Sequence, residues 1–369
     1  MNKPISIGVV GCGYWGPNLI RNFRALPECD MRLVCDLSDE RLQHLQQLYP
    51  EMGGEKDYAH LLNGANLDAI VIATAVKHHY PMAKASLLAG KHTFVEKPLA
   101  SSAAQCQELI ELADRQGVVL MVGHTFLFSA PVRKMKEMVT AGEIGQLHYI
   151  SACRSNLGLF QKDINVAWDL APHDISIILY LMEQMPVSVN CLGKAHVTPG
   201  IQDVTNMALT FADGRFAMIQ NSWLSPKKIR EMTVVGSQKM ILYDDVEPLE
   251  KIKMFDCRVE TPPHYDTFAE FQYAYHQGDR FVPRIKQEEP LKVECQHFLD
   301  CIKQRTKPLS DGRKGLELVH ILEAASTSLA RQGATVSLSR LFPPVGTVNG
   351  NGTYGARPSG VPGLAQASF

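Results

Sequence analysis

Three glycines near the N-terminus have the spacing of a dinucleotide-binding loop. Gly11, Gly13 and Gly16 directly follow the apolar run Ile5–Val10 and precede a helix-like segment. In this pattern the first glycine allows a tight turn, the second lets backbone N–H groups approach a pyrophosphate, and the third lets helix and strand pack closely. Because a strand precedes and a helix follows, we expect a dinucleotide site; the alternative is an ordinary cluster of turn glycines.

An acidic residue stands where such a site needs one. Asp36 ends the second apolar run, 20 residues beyond Gly16. A carboxylate at this position accepts hydrogen bonds from the adenosine ribose hydroxyls and repels the 2′-phosphate of NADP. We therefore expect NAD rather than NADP as the cofactor. The alternative is a solvated Asp36 that caps the next helix.

The first 123 residues alternate short apolar runs with helical patterns. Several runs are apolar at successive positions, which is typical of strands buried on both faces of a parallel sheet. The predicted strands are Ile5–Val10, Met31–Cys35, Asp68–Ala73, His92–Val95 and Val118–Val122. Strands that alternate with helices predict βαβ units, so residues 1–123 are expected to form an NAD-binding Rossmann domain with a doubly wound parallel sheet.

The pattern changes after Gly123. Alternating runs with a hairpin signal at Ala212-Asp213-Gly214 predict a large, open and mostly antiparallel sheet. Helical patterns are predicted over Pro131–Thr140, Ala167–Glu183, Val293–Lys303 and Leu316–Arg331. Residues 124–342 are therefore expected to form an α+β domain for substrate binding and oligomerisation. Residues 343–369 hold six Gly, four Pro and a single charge, which predicts a flexible tail.

Composition narrows the class of protein. The 369 residues carry 37 Lys and Arg against 38 Asp and Glu, which argues against a polybasic nucleic-acid binder. No apolar run has the length of a membrane span, and the N-terminus enters a strand pattern without the features of a signal peptide. The nine cysteines contain no C-x-x-C pair, as expected for reduced thiols. We expect a soluble cytoplasmic protein without nucleic-acid or membrane partners.

Several further segments resemble a family of NAD(P)-dependent sugar oxidoreductases, named after glucose–fructose oxidoreductase, inositol dehydrogenase and rhizopine catabolism. Glu96-Lys97-Pro98 matches the family signature, and the likeness extends through the segments 89–99, 168–174 and 323–328. The resemblance covers the chain except for the tail. It implies a Rossmann domain followed by an α/β domain whose open sheet often joins subunits, so we expect a homo-oligomer, either a dimer or a tetramer.

The resemblance also implies the reaction and the residues that perform it. Hydride passes between a sugar or cyclitol carbon and the nicotinamide, with Lys97 near both and with Asp169 and His173 facing it from the second domain. His173 is the expected general acid/base. Further cofactor contacts are expected at Tyr14, Trp15, Thr74, His79, Glu96 and Lys97.

The chemistry of these residue types agrees with those roles. Oxidation of a secondary alcohol needs a base with a pKa near the operating pH, which histidine supplies, and a lysine cation stabilises the developing alkoxide. Asp169 and His173 are four residues apart and share one helix face, so the carboxylate can orient the imidazole. The alternatives are a histidine that only packs in the core and a carboxylate that only stabilises a helix N-terminus.

Substrate contacts are expected where the two domains meet. His124 and Phe126 lie at that junction, where a substrate would be enclosed together with His173. A polar run before the Asp169 helix adds four candidates, with a solvated loop as the alternative: Arg154, Asn156, Gln161 and Lys162. Adjacent His78 and His79 point apart without a third ligand nearby, so no metal is expected.

Three functions remain open from the sequence. The leading hypothesis is an NAD-dependent dehydrogenase that oxidises C3 of a UDP-linked N-acetylhexosamine or its uronate, because residues 13–18 and 156–161 look most like members that act on nucleotide sugars. Cations would then bind the substrate pyrophosphate, with Arg154 and Lys162 as the first candidates beside Lys227, Lys228 and Arg230. The alternatives are an inositol or free-hexose dehydrogenase and a non-catalytic NAD- or sugar-binding regulator.

Overall fold

Two β-sheets organise the chain. The computed structural model describes residues 3–63, 66–260 and 274–338. The expected tail, 343–369, lies outside the described residues, as do residues 261–273. No helix within the described ranges is long and apolar enough to cross a membrane.

The first sheet is parallel and doubly wound, which confirms the predicted fold class. Its strands lie in the order β3-β2-β1-β4-β5-β6, and helices cover both faces. The elements are β1 (Ile5–Val10), α1 (Gly16–Arg24), β2 (Cys29–Cys35), α2 (Asp39–Leu48), β3 (Gly53–Glu55), α3 (Tyr58–Asn63), β4 (Ala69–Ile72), α4 (Val76–Leu88), β5 (His92–Glu96), α5 (Ala103–Gln116) and β6 (Leu120–Gly123). The reversal of strand order between β1 and β4 opens a crevice at the carboxyl ends of the strands, where ligands bind in such sheets.

The second sheet has nine strands and is mostly antiparallel. Its order is β14-β13-β12-β11-β7-β10-β9-β8-β15, and β7 and β10 are its parallel neighbours. A 3₁₀ helix (Thr125–Phe128) leads into α6 (Ala130–Thr140), β7 (Leu147–Ser155), α7 (Val166–Met182), β8 (Ser188–Lys194), β9 (Val204–Thr210), β10 (Phe216–Ser222), β11 (Ile229–Gly236), β12 (Met240–Asp244), β13 (Ile252–Glu260), β14 (Ala274–Phe281) and β15 (Val336–Ser337). The predicted hairpin joins β9 and β10, with Gly214 at a φ of 86°.

Helix α7 covers one face of this sheet. Alternate residues of β7, β10 and β11, such as Ile150, Ile219 and Met232, point into the core that α7 completes. Within the described residues nothing covers the opposite face, and Tyr149 and Met218 are 38% and 42% exposed there. The alternation follows from the period-two geometry of strands.

Two C-terminal helices return to the first sheet. Phe298 of α8 (Pro290–Gln304) packs edge-on against Phe23 and Phe94, and α9 (Gly312–Ala330) packs against α5. Helix α9 begins before the predicted Leu316, because the Asp311 side chain accepts a hydrogen bond from the backbone N–H of Lys314 and caps the helix there.

Candidate functional site

A cleft lies between the carboxyl edge of the first sheet and the start of α7. It forms a cavity of about 670 Å³, which lies within the usual range of small-molecule sites. Strand ends β4, β5 and β6 contribute one wall, and α7 with the loop after β7 contributes the other. Residues lining it include Tyr14, Trp15, Thr74, Lys97, Phe126, Asn156, Gln161, Asp169 and His173.

The glycine loop has the shape that a pyrophosphate needs. Gly11 has a φ of 94°, and a Cβ at Gly16 would lie 1.9 Å from the Gly11 carbonyl oxygen, so no side chain fits at either position. At Gly13 the nearest atom to an added Cβ is the Arg41 Nη1, at 3.8 Å, which leaves the backbone open to a ligand. These residues fit NAD, and the loop at the start of α1 would hold its pyrophosphate.

Asp36 lies at the carboxyl end of β2, beside the glycine loop. Its carboxylate accepts hydrogen bonds from the backbone N–H groups of Cys12, at 2.7 Å, and Ser38, at 2.9 Å. The Arg41 Nη1 lies 3.5 Å from the same carboxylate. The two backbone hydrogen bonds fix the position of the carboxylate.

Lys97 and Asp169 meet across the cleft. The Lys97 ammonium donates to the backbone carbonyl of Asp169 at 2.8 Å and lies 3.7 Å from the Asp169 carboxylate. Trp223, which follows β10, donates its indole N–H to the other carboxylate oxygen at 3.0 Å. The ammonium and the carboxylate are thus fixed from both sheets.

His173 lies one helical turn beyond Asp169, on the same wall of the cavity. Its ring makes an edge contact with Phe126, with centroids 5.0 Å apart. Burial, followed by the charges of Lys97, Arg154, Arg230 and His124, lowers the pKa of His173 well below its ordinary value of 6.5. The imidazole is therefore neutral at neutral pH and can accept a proton.

Comparison with known protein families identifies the family to which the chain belongs. Residues 5–124 match the model of an oxidoreductase family with an NAD-binding Rossmann fold, and residues 132–242 match the Gfo/Idh/MocA C-terminal domain. The chain belongs to the Gfo/Idh/MocA oxidoreductase family. Together the two matched segments span more than half of the chain, which confirms the resemblance drawn from its motifs.

Individual Gfo/Idh/MocA relatives are distant. The chain is 26% identical to the uncharacterized oxidoreductase YrbE of Bacillus subtilis, over 89% of this chain and 96% of that protein. It is 26% identical to a myo-inositol 2-dehydrogenase of Thermotoga maritima, over 65% and 75% respectively. The solved UDP-N-acetylglucosamine 3-dehydrogenase of Acidithiobacillus ferrooxidans shares the fold, with a TM-score of 0.74, 22% identity, and coverage of 90% of this chain and 99% of that one.

Glu96, the first residue of the Glu96-Lys97-Pro98 segment, also lines the cavity. Glu96 is buried and accepts hydrogen bonds from the Trp15 indole at 2.6 Å and from the backbone N–H of Lys97. Burial raises its pKa to about 7. Behind it, Glu294 of α8 accepts from the Thr125 hydroxyl at 2.7 Å, and burial together with the Glu96 charge raises the pKa of Glu294 well above its usual range.

Two predicted site histidines lie beneath the cavity surface. His79 is buried, with its ring nitrogens 2.8 Å from the Pro98 carbonyl and 3.0 Å from the Thr74 carbonyl, so it joins the loops after β4 and β5. His124 is also buried, and within the described residues neither ring nitrogen has a hydrogen-bond partner. Burial, followed by the Lys97 charge, lowers the pKa of His124 to about 4.

The polar run after β7 divides into two groups. Asn156 and Gln161 line the cavity, whereas Lys162 is exposed outside it. The structure does not bring Arg154 to the cavity surface. Its guanidinium is buried in a two-bonded ion pair with Asp174, because the even-numbered residues of β7 point under α7.

Sequence reasoning missed several groups at this site. Trp223 holds Asp169, and two further ion pairs line the cavity, Arg21–Glu289 and Arg230–Asp245; of Trp223 and the four residues of these pairs, only Arg230 is among the cations expected from the sequence. No local spacing signals these pairings, because their members come from different elements. Within the described ranges, no three His, Cys, Asp or Glu side chains are placed to hold a metal ion.

Proposed function

We propose that the chain oxidises a secondary alcohol of a sugar or polyol with NAD as the hydride acceptor. The main observation behind this proposal is that Lys97, Asp169 and His173 all line the cavity beside the glycine loop. In this proposal residues 1–123 hold the cofactor and residues 124–342 hold the substrate. The distant myo-inositol 2-dehydrogenase relative supports the substrate class.

The side chains have complementary tasks in that reaction. His173 is neutral and takes the hydroxyl proton, while NAD supplies the acceptor for the hydride. The Lys97 ammonium stabilises the negative charge that develops on the substrate oxygen. Asp169 holds that ammonium through its backbone carbonyl and its carboxylate. Because these groups are fixed before the substrate arrives, little reorganisation is needed in the transition state.

Asp36 supports NAD over NADP in this proposal. Its carboxylate is held by two backbone N–H groups and is 8% exposed, so it cannot easily turn away from a bound ribose. A 2′-phosphate would meet this fixed negative charge. Arg41 lies against the carboxylate and partly balances it.

The charge balance of the cavity supports an uncharged sugar or polyol. Within the described residues, each cation that lines it is paired with a carboxylate: Lys97 with Asp169, Arg21 with Glu289, and Arg230 with Asp245. A substrate pyrophosphate would have to break one of these pairs. Hydroxyl groups, in contrast, can bond to both the cations and the carboxylates.

A nucleotide sugar oxidised at C3 is the second candidate. Lys162 is exposed next to Gln161, which lines the cavity, so its ammonium is available to a phosphate at the cavity mouth. The fold likeness to a UDP-N-acetylglucosamine 3-dehydrogenase is compatible with this substrate. At 22% identity, however, that likeness concerns the fold, and the choice depends on side chains.

A substrate screen tests the proposal. Purified protein with NAD is offered inositols, free hexoses and UDP-linked sugars, and NADH formation is followed by absorbance. We expect turnover of at least one of these compounds, and turnover at least about 10²-fold slower with the His173→Asn variant. Preference for a UDP-linked sugar, with a KM that rises about tenfold in Lys162→Ala, would favour the second candidate. Tight NAD binding without any turnover would favour a regulator.

The face of the nine-stranded sheet that no described residue covers supports a homo-oligomer. Tyr149 and Met218 lie in adjacent strands and expose large apolar side chains on that face. Burial of such a face against a second copy removes apolar surface from water. Light scattering after size exclusion should give a dimer or larger, and Met218→Asp should shift it toward the monomer.

A further inference from the structure

A buried ion pair lies directly behind His173. The Arg154 guanidinium donates to both oxygens of Asp174, with Nε at 3.0 Å and Nη2 at 2.8 Å, and both side chains are 4% exposed. Arg154 belongs to β7, whereas Asp174 follows His173 in α7. A two-bonded contact of this kind fixes the plane of the guanidinium.

One aromatic ring connects that guanidinium to the His173 imidazole. The Arg154 Cζ lies 4.7 Å from the centroid of the Phe126 ring, a cation–π contact. The same Phe126 ring meets His173 edge-on, with centroids 5.0 Å apart. Arg154 is therefore linked to His173 in two ways. The Phe126 ring contacts both residues, and Asp174, which binds Arg154, is the residue that follows His173 in the chain.

Charged and titratable groups from several elements lie around His173. Lys97 follows β5, His124 follows β6, and Arg154 and Arg230 belong to β7 and β11; the acids on its own helix are Asp169 and Asp174, and Asp245 is paired with Arg230. After burial and Lys97, Arg154 is the next group that lowers the pKa of His173. Within the described residues the imidazole has no hydrogen bond of its own, so its surroundings decide its charge and direction.

We propose that Arg154 is a positioning residue for His173, which keeps the imidazole uncharged and directed into the cavity. This role rests on the proposed function in one respect, that His173 is the base. It gives the buried ion pair a purpose other than substrate binding. It also means that the base is ready at neutral and mildly acidic pH, before any substrate is bound.

The test is an NMR titration of the His173 ring, which needs no substrate. The His173→Asn variant identifies its resonance in protein labelled at histidine. The ion pair is then removed in two double variants without charge, Arg154→Gln with Asp174→Asn, and Arg154→Met with Asp174→Leu. Two are made because one of them could fail to fold. We expect the pKa of His173 to rise in either version, because the Arg154 charge that lowers it is lost, whereas the Asp174 charge is not among the groups that shift it.

Two further variants separate charge from geometry. Arg154→Lys keeps the cation but loses the planar fork, so the pKa of His173 should stay near its original value while kcat falls about tenfold. Arg215→Met is the matched control, because Arg215 also pairs with an aspartate, Asp213, and lies over a ring, Phe211, in the same sheet but away from the cavity. It should leave both readouts unchanged.

The outcomes distinguish this inference from the proposed function. An unchanged His173 titration in a folded charge-free version overturns the role of Arg154, whether or not the enzyme turns over its substrate. A raised pKa with no substrate found in the screen would support the role of Arg154 and count against the proposed function alone.

Discussion

Lys97 and Asp169 are joined twice across the cleft, through the Asp169 backbone carbonyl at 2.8 Å and its carboxylate at 3.7 Å. Lys97 follows a strand of the parallel sheet, and Asp169 lies in the first turn of α7 on the antiparallel sheet. The position of the ammonium therefore depends on how the two sheets pack. Under the proposed function, a small shift between the sheets would move the cation away from the substrate oxygen and slow catalysis.

Removal of the Lys97 ammonium should affect the chemical step. We expect Lys97→Met to lower kcat by about 10²–10³-fold, because charge on the substrate oxygen would no longer be stabilised. NAD binding, measured by fluorescence, should be retained. Lys91→Met is the control, since Lys91 also donates to a backbone carbonyl, that of Leu67 at 2.7 Å. An equal loss in both variants would contradict this role.

The pH profile of kcat should keep its plateau to a lower pH than an ordinary histidine would allow. A base must be unprotonated to act, and the pKa of His173 is lowered well below 6.5. Activity should therefore stay level as the pH falls through 6.5, the ordinary pKa of histidine, and be lost only at a more acidic pH. His173→Asn should lose about 10²–10⁴-fold in kcat, whereas the exposed His148→Asn should be unaffected. A limb at or above pH 7 would point to another base.

The indole N–H of Trp223 should contribute more to turnover than the rest of its aromatic ring does. Trp223→Phe keeps an aromatic ring at this buried position but loses the N–H that donates to Asp169 at 3.0 Å. Because hydrogen bonds to charged groups contribute about 1.5–3 kcal/mol, we expect kcat to fall at least about tenfold with little change in KM. Trp168→Phe is the matched control, since its N–H donates to Ser326 at 2.8 Å. Equal values of kcat and KM in the two variants would contradict a role of the Trp223 hydrogen bond in turnover.

Cofactor choice should respond to Asp36. In Asp36→Asn the fixed negative charge is gone and Arg41, now 3.5 Å away, is free to meet a 2′-phosphate. The ratio of kcat/KM for NAD over NADP should fall about tenfold, a change of about 1.4 kcal/mol. Asp39→Asn, an exposed partner of Lys56, should leave the ratio unchanged. Equal use of both cofactors by the unaltered protein would overturn the assignment.

The sequence predicted the parts of this protein that local chain geometry controls. Gly11 and Gly16 are confirmed as positions where a Cβ does not fit, since a strand, a tight turn and a helix succeed one another within a few residues. The alternation of strands and helices determined the parallel sheet, and the period-two runs determined the second sheet. These features depend on neighbours in sequence, so their spacing reveals them.

The tertiary structure decided which polar groups face the cavity. Arg154 pairs with Asp174, 20 residues away, and Trp223 reaches Asp169 from 54 residues away, because β7 and β10 become neighbours under α7. A polar residue on a predicted strand can point to the ligand or to the helix behind it. Only the packing of α7 on the sheet, which buries one face of each strand, selected the second direction for Arg154.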